Sequence, residues 1–128
     1  MTDYDIVVLG GGPGGYAAAL YAASAGQKVA LVEKQTVGGT CLHRGCIPTK
    51  ALLHAAEVAD SAREASRFGV RATLEGVDLP GVTAYREGVV SRLHKGLQGL
   101  VSSRSVDYVR GEGRLDGDRT VVVGDRRL

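Results

Sequence analysis

The sequence has 128 residues, the size of one domain, which leaves no room for the separate substrate and interface domains of many enzymes. Its 16 Lys and Arg residues nearly balance 14 Asp and Glu residues, and a net charge of +2 excludes strong long-range attraction to nucleic acid or to an anionic membrane. The apolar runs are shorter than a membrane span, and Asp3 and Asp5 stand where a signal peptide would carry basic residues, so we expect a cytoplasmic protein.

The first predicted elements form a strand, helix and strand unit. Residues 5–9 are a short β-branched run that ends at a glycine cluster, as a buried parallel strand does. Residues 14–25 are mostly Ala and predict a helix, with Gly26 at its C-terminal cap. Residues 28–33 predict a second buried strand. These three elements within about 30 residues indicate a right-handed crossover between parallel strands.

Two helices are predicted next, after a Gly- and Thr-rich loop over residues 35–45. Between Lys50 and Phe68, one set of residues at helical spacing predicts the core-facing stripe: Leu52, Ala55, Ala59 and Ala62. The water-facing residues of this helix are Glu57, Asp60, Arg63 and Glu64. After a loop over residues 69–81, a second amphipathic helix has its apolar face at Tyr85, Val89, Leu93, Leu97 and Leu100. We expect the two helices to pack as a pair.

The last part of the sequence predicts β-structure. Residues 106–110 and 120–123 are strand candidates, and residues 115–118, LDGD, supply hairpin-type turn chemistry between them. The sequence stops at Leu128, just after another Gly-Asp turn, which would leave this strand pair with an open edge. We therefore expect residues 1–128 to be an incomplete α/β nucleotide domain with a parallel sheet, a helical pair before the third strand and the start of a β-meander.

A glycine-rich turn lies between the first strand and the first helix. Residues 10–15, GGGPGG, contain G-x-G-x-x-G with Gly10, Gly12 and Gly15 in the defining places. These glycines allow a tight turn, the approach of a pyrophosphate to the backbone and close packing of helix on strand. Glu33 ends the second strand, where a carboxylate accepts hydrogen bonds from ribose hydroxyls and disfavours the 2′-phosphate of NADP. The turn does not distinguish NAD from FAD, and its alternative interpretation is a structural turn with Glu33 paired to Lys34.

The two cysteines, Cys41 and Cys46, are five positions apart. In an ideal helix their Cα atoms would be roughly 8 to 9 Å apart, beyond the about 4.4 to 6.8 Å of a disulfide, so an oxidised pair requires a backbone distortion that Gly45 could supply. Three basic residues nearby in sequence favour the thiolate: His43, Arg44 and Lys50, the last on the helical face of Cys46 if the helix begins that early. The pair therefore indicates redox activity, with two unrelated buried thiols or half a zinc site as alternatives, and we expect no metal.

Residues 38–53, GGTCLHRGCIPTKALL, resemble the active-site signature of the flavin-dependent pyridine nucleotide-disulfide oxidoreductases. Within that family, residues 47–53, IPTKALL, are more similar to the members that oxidise dihydrolipoamide than to glutathione or mercuric reductase. Residues 110–115, RGEGRL, resemble the strand whose main chain near Gly113 meets the adenine. The resemblance covers nearly all of this sequence and about the opening quarter of the family's length, without the NAD-binding and dimerisation domains.

The resemblance implies a Rossmann-like FAD-binding domain with FAD at the glycine turn and NAD as the later co-substrate. The residues implied to bind the cofactor are Gly10, Gly12, Pro13, Gly14, Gly15, Glu33, Lys34, Gly38, Gly39, Thr40, Cys41, Lys50 and Gly113. Lys50 is implied to lie near the flavin N5 edge. One departure from the family is the pair His43 and Arg44, where many members carry Asn and an apolar residue. These two side chains either alter the reactivity of the nearby thiols or lie in an exposed, solvated loop, and the sequence favours neither interpretation.

The resemblance also implies a reaction. Dihydrolipoamide, carried by the lipoyl acyltransferase of a 2-oxoacid dehydrogenase complex, reduces the Cys41–Cys46 disulfide, and electrons pass through FAD to NAD. Cys41 is implied to exchange with the substrate and Cys46 to lie against the flavin. The full-length family members are homodimers, and we expect residues 1–128 alone to be inactive. None of His43, His54 and His94 is expected to be the catalytic base. A mercuric- or glutathione-reductase-like enzyme and a non-catalytic nucleotide-binding remnant remain as alternatives.

Overall fold

The computed structural model describes residues 3–128 and is organised around a parallel sheet. Its strands are β1 (Ile6–Leu9), β2 (Val29–Glu33) and β3 (Val106–Arg110), in the order β1-β2-β3. Helix α1 (Pro13–Ser24) connects β1 to β2, and Gly26 follows it with a φ of 83° that suits a helix C-terminal cap. The predicted strand, helix and strand unit and the predicted third strand are confirmed, as is the parallel α/β class.

The middle strand β2 is buried, whereas β1 is not. Ala30 and Leu31 of β2 are fully buried, but Ile6 and Leu9 of β1 are 39% and 47% exposed. The prediction of a buried first strand is therefore wrong. Only its central residues are covered: Val8 packs on one core and Val7 on the other, while β1 has no second neighbouring strand in the described part of the chain.

Between β2 and β3 the chain forms three helices. The predicted loop over residues 35–45 contains a short helix, α2 (Gly39–His43), and α3 (Cys46–Glu64) begins earlier than predicted. A 3₁₀ turn (Ala65–Phe68) ends α3, and α4 (Leu79–Ser103) also begins inside a predicted loop. The helices α3 and α4 pack against each other, which confirms the predicted pair. Within residues 3–128, no helix is both long enough and apolar enough to cross a membrane.

The apolar faces of α3 and α4 differ from the predicted ones. In α3, Ala55, Ala59 and Ala62 are half-buried as predicted, but Leu52 is 43% exposed. In α4 the predicted positions Tyr85, Leu93 and Leu100 are exposed. The inward face of α4 instead runs through four residues at helical spacing, Val90, His94, Leu97 and Val101. The predicted positions Val89 and Leu97 are half-buried, but Val90 and Val101 were not predicted, because the polar His94 interrupts the apolar spacing that joins them.

A second, antiparallel sheet follows β3. It consists of β4 (Gly113–Leu115), β5 (Val121–Val123) and β6 (Arg126–Arg127), in that order. The turn at residues 115–118 joins β4 to β5, so the prediction that it joins residues 106–110 to 120–123 is wrong. The strand β5 has a partner on each side, so the predicted open edge lies at β4 and β6 instead.

The parallel sheet is covered on both faces. On one face, Leu31 and Val29 of β2 contact Ala19 of α1 and Val101 of α4. On the other face, Ala30 and Val32 of β2 pack against the second sheet. The side chains there are Val121 and Val123 of β5 and the C-terminal Leu128. Burial of each of the Val and Leu side chains contributes about 1.5 to 3 kcal/mol. Both faces of β2 are thus fixed, which holds its carboxyl end at Glu33 in place.

Candidate functional site

The glycine turn has the geometry of a phosphate cradle. Gly10 adopts a φ of 105° and donates its N–H to the Val32 carbonyl oxygen at 2.8 Å, which ties the turn to β2. A Cβ atom on Gly15 would overlap the Gly10 carbonyl oxygen, so helix α1 packs closely on the turn only because residue 15 is glycine. A Cβ on Gly12 or Gly14 would meet no atom within 4 Å among the described residues, so the mouth of the turn is open.

The first turn of α1 supplies the hydrogen-bond donors for such a ligand. Pro13 occupies the first position of α1, where its missing N–H costs nothing. The Tyr16 N–H makes the first helical bond, to the Gly12 carbonyl oxygen at 2.9 Å. The N–H groups of Gly14 and Gly15 precede that bond and point along the helix axis, where the positive end of the helix dipole lies. This arrangement fits a pyrophosphate.

Glu33 is fixed by the main chain of two neighbouring segments. Its carboxylate accepts the Gly11 N–H at 2.8 Å and the Gln35 N–H at 2.7 Å. Lys34 instead pairs with Glu112 at 3.3 Å, so the alternative of a Glu33 and Lys34 ion pair is not what the structure shows. The two backbone bonds leave further lone pairs on the carboxylate for hydroxyl donors of a ligand.

Two cavities open beside Glu33. One, of about 210 Å³, lies at the carboxyl ends of the three parallel strands and is lined by Leu9, Gly10, Val32, Glu33, Lys34, Gly111, Glu112 and Gly113. The other, of about 320 Å³, is lined by Glu33, Lys34, Gln35, Thr36, Gly39, Thr40, His43 and Arg44. They share Glu33 and Lys34. The structure thus brings together at these cavities the predicted site residues Gly10, Glu33, Lys34, Gly39, Thr40 and Gly113.

The two cysteines form a disulfide at the junction of α2 and α3. Their Cα atoms are 4.7 Å apart, within the disulfide range that a continuous helix would exceed. The break falls at Arg44 and Gly45, where Gly45 has a ψ of −107° outside the helical region. The predicted requirement for a distortion at Gly45 is confirmed. Cys41 is half-buried in α2, and Cys46 is exposed as the first residue of α3.

The disulfide segment packs directly on the glycine turn. The Gly38 N–H donates to the Gly11 carbonyl oxygen at 2.7 Å. A Cβ on Gly39 would lie 2.7 Å from the Gly12 Cα, a distance that real side chains do not adopt. The glycine turn and the disulfide segment, which are separated in the sequence, are therefore parts of one site.

The remaining predicted site residues, Lys50 among them, line neither of the cavities beside Glu33. Lys50 is exposed on α3, one turn after Cys46. In the described part of the chain, no group of three or more His, Cys, Asp or Glu side chains is arranged to hold a metal ion.

Two histidines have an environment that was not predicted from the sequence. His43 is half-buried, and its Nε2–H donates to the Val37 carbonyl oxygen at 3.0 Å, so the exposed-loop interpretation fails for His43 and holds for Arg44. His94 of α4 stacks edge-to-face on His43 with the ring centroids 4.8 Å apart. Burial, and secondarily His43, lower the pKa of His94. The signal that could have revealed this is the helical spacing of His94 with Val90, Leu97 and Val101.

A comparison with known proteins defines the class. The sequence profile of the family described as Pyridine nucleotide-disulphide oxidoreductase matches residues 4–128, and this chain belongs to that family. Among its relatives are the dihydrolipoyl dehydrogenases of Bacillus subtilis strain 168, 48% identical over 91% of this chain and 24% of the relative, and of Thermus scotoductus, 48% identical over 96% and 26%. Leghemoglobin reductase of Vigna unguiculata is 43% identical over 95% and 26%.

These matches confirm the resemblance that residues 38–53 indicate. The chain spans about a quarter of the length of the relatives it matches. The family's description names a pyridine nucleotide and a disulphide, and the chain contains a disulfide beside a dinucleotide-type turn.

Proposed function

We propose that residues 1–128 are the N-terminal part of the FAD-binding domain of a dihydrolipoyl dehydrogenase and carry its redox disulfide. The single observation that supports this most is the Gly38 to Gly11 hydrogen bond, because it joins the disulfide segment to the phosphate-cradling turn. A turn alone fits any dinucleotide, and a disulfide alone fits many structural roles. Together they fit an enzyme that passes electrons between a dithiol and a bound cofactor.

The residues around the turn fit FAD. The N–H groups of Gly14 and Gly15 would hold the pyrophosphate, and the Glu33 carboxylate would accept the hydroxyls of the adenosine ribose. The cavity of about 210 Å³ at Gly113 would take the adenine side of the molecule. Gly38, Gly39 and Thr40 of the disulfide segment would face the part beyond the pyrophosphate, with Lys50 near the flavin N5. When bound, the flavin supplies a two-electron acceptor beside the disulfide.

The position of Cys46 supports a division of labour between the two sulfurs. Cys46 is the first residue of the 19-residue helix α3, and Lys50 follows one helical turn later. Both the helix dipole and a nearby cation favour a thiolate at Cys46. Since the better leaving thiol is the one with the lower pKa, the incoming thiolate attacks Cys41 and Cys46 leaves. Cys41 is therefore the exchanging sulfur, and the resemblance to the family implies that Cys46 is the one next to the flavin.

The names of the relatives favour dihydrolipoamide over glutathione or mercuric ions as the substrate class. We infer that the reductant is dihydrolipoamide on a lipoyl-carrying acyltransferase, that NAD is the final electron acceptor, and that the complete enzyme is a homodimer. The acidic Glu33 fits the adenosine of FAD, whose ribose carries free hydroxyls, since a 2′-phosphate would be repelled there.

Flavin binding and two-electron reduction test the proposal. Purified chain mixed with FAD should bind it, and reduction with dithionite should give a long-wavelength absorption band from a thiolate next to the flavin. Cys46→Ser should lose this band, whereas Cys41→Ser should show it even before reduction because its Cys46 thiol is free. A band that survives in Cys46→Ser would show that the assignment of the sulfurs is wrong, and a chain that binds no FAD would overturn the proposal.

A further inference from the structure

The contact between His43 and His94 joins the disulfide segment to helix α4. His43 is the last residue of α2, the helix that carries Cys41. Its ring is held on one side by the Val37 carbonyl oxygen and on the other by the ring of His94, at an interplanar angle of 75°. Val37 is 2% exposed and belongs to the core with Val101 of α4. The position of α2 is therefore set through His43 by the buried Val37 and the half-buried His94.

His94 lies where a positive charge is unfavourable. It lines a cavity of about 540 Å³ together with His43, Arg44, Pro48, Arg86, Glu87, Val90 and Ser91. The charged groups that face it are Arg44 at the end of α2, and Arg86 and Glu87 of α4; α3 contributes the neutral Pro48. Glu87 is already paired with Arg86 at 3.1 Å. Burial and His43 lower the pKa of His94, so its neutral form packs on His43.

The Nε2 atom of His94 is the second unusual feature. It is buried and has no hydrogen-bond partner among residues 3–128. A buried polar atom without a partner is costly, and such groups are few in folded proteins. The His94 ring is consequently held by packing against His43 and not by a hydrogen bond at Nε2. Protonation of the His94 ring therefore changes its contact with the His43 ring directly.

We propose that His94 is a positioning residue for the Cys41–Cys46 disulfide: its neutral ring, packed on His43, holds α2 in place, and its protonation shifts the equilibrium of the disulfide toward the reduced state. The inference rests on the proposed redox role of the two cysteines. The direction follows from charge, because reduction adds a thiolate to the junction of α2 and α3, and a negative charge there favours the protonated imidazole.

The reaction affected is thiol-disulfide exchange. One thiolate of a dithiol attacks the Cys41 sulfur, the Cys41–Cys46 bond breaks, and the Cys46 sulfur leaves as a thiolate. The second thiol of the reductant then displaces Cys41 and closes a cyclic disulfide. The reductant loses two electrons and two protons; the protein gains the two electrons and takes up one or two protons, according to how much Cys46 remains a thiolate.

The test is the equilibrium between this disulfide and dithiothreitol, measured without flavin from about pH 5 to pH 8, the range in which histidine titrates. Relative to His94→Gln, the wild-type chain should favour the reduced state by at least about fivefold more at the acidic end than at the basic end, a typical size for coupling between sites. The matched control is His54→Gln, which removes an exposed histidine on α3 that faces Glu57. It should behave as wild type.

A second measurement needs no variant. Because coupling is reciprocal, the NMR-measured pKa of His94 must be higher in the reduced chain than in the oxidised chain, while that of His54 stays constant. This readout remains if His94→Gln does not fold. Equal His94 pKa values in both states, or the same pH dependence in wild type and His94→Gln, would overturn the inference and leave the proposed function intact. A disulfide that dithiothreitol does not reduce in any of the proteins would overturn both.

Discussion

The backbone N–H of Gly38 lies 2.7 Å from the carbonyl oxygen of Gly11 and donates a hydrogen bond to it. One residue belongs to the segment that carries the disulfide and the other to the glycine-rich turn proposed to hold the cofactor. Both are buried, so water does not compete for this bond. Any change that separates the two segments should therefore affect cofactor binding and disulfide chemistry together.

Gly39→Ala should separate them. Residue 39 has a φ of 61°, in the left-handed region, and its new Cβ would lie 2.7 Å from the Gly12 Cα. We expect a loss of about 1 to 2 kcal/mol from the backbone conformation alone, measured by urea unfolding, together with weaker FAD binding. Gly26→Ala is the control, since Gly26 is also left-handed but a Cβ there meets no described atom within 4 Å. It should lose stability and keep its affinity for FAD; unchanged FAD affinity in Gly39→Ala would contradict the packed arrangement.

Two glycines of the turn should respond differently to alanine. Gly15→Ala forces a Cβ into the Gly10 carbonyl oxygen and should unfold the chain or destabilise it by about 3 kcal/mol or more, the scale of severe overpacking. Gly12→Ala faces open space at a φ of −72°, so its melting temperature should stay near the wild-type value. The same methyl group stands in the path of a pyrophosphate, and FAD titration should show clearly weaker binding. A Gly12→Ala chain with full FAD affinity would show that the ligand binds elsewhere.

Glu33→Gln should weaken both the fold and the adenosine site. The Glu33 carboxylate accepts two main-chain N–H groups, one on each oxygen, whereas an amide has only one acceptor oxygen. One of the two N–H groups therefore loses its partner, and that of Gly11 is buried. We expect about 1 to 2 kcal/mol less stability and roughly tenfold weaker FAD binding, because a charged acceptor becomes a neutral one. Glu57→Gln, at an exposed carboxylate of α3, should change neither quantity. Calorimetric titration with FAD and denaturant unfolding separate the two effects.

His94 should make the chain sensitive to mild acid. Its pKa is lowered in the folded state from the usual 6.5, chiefly by burial, so the unfolded chain binds the proton more tightly. The contribution of the neutral ring is complete above about pH 6.5 and is lost progressively as the pH falls below that value toward the lower folded-state pKa. In thermal melts across this range, His94→Gln should lose less stability than wild type on acidification. A parallel decline in the two proteins would show that other groups cause the sensitivity.

Local pattern predicted much of the fold and of the site. The β1, α1, β2 unit and β3 were predictable because each has its own apolar run, and the roles of Gly10 and Gly15 follow from a turn of few residues. The local pattern did not predict β4, because three residues that include Arg114 give too little periodicity. Only the resemblance of residues 110–115 to a strand of the family indicated it, and its pairing with β5 defines it. The inward face of α4 was predicted only in part, at Val89 and Leu97, because the polar His94, which packs on His43, interrupts its apolar spacing.

The remaining part of the site depends on long-range contacts. The sequence showed that Gly45 could break a helix, but not that Gly38 meets Gly11 or that Gly113 packs beside Val32. Such contacts join segments that are remote in the sequence, and their sequence separation does not predict how close they lie in the folded chain.

The register of the parallel sheet has a consequence for how the chain folds. Val29 of β2 lies opposite Val106 of β3, although about 75 residues separate them. Closing a loop of that length costs conformational entropy before any strand contact is made. The α3 and α4 hairpin forms from nearby residues and shortens the distance to be closed, so we expect it to acquire protection in pulsed hydrogen exchange before the amides of β3 do. Earlier protection of β3 would place the nucleus in the sheet instead.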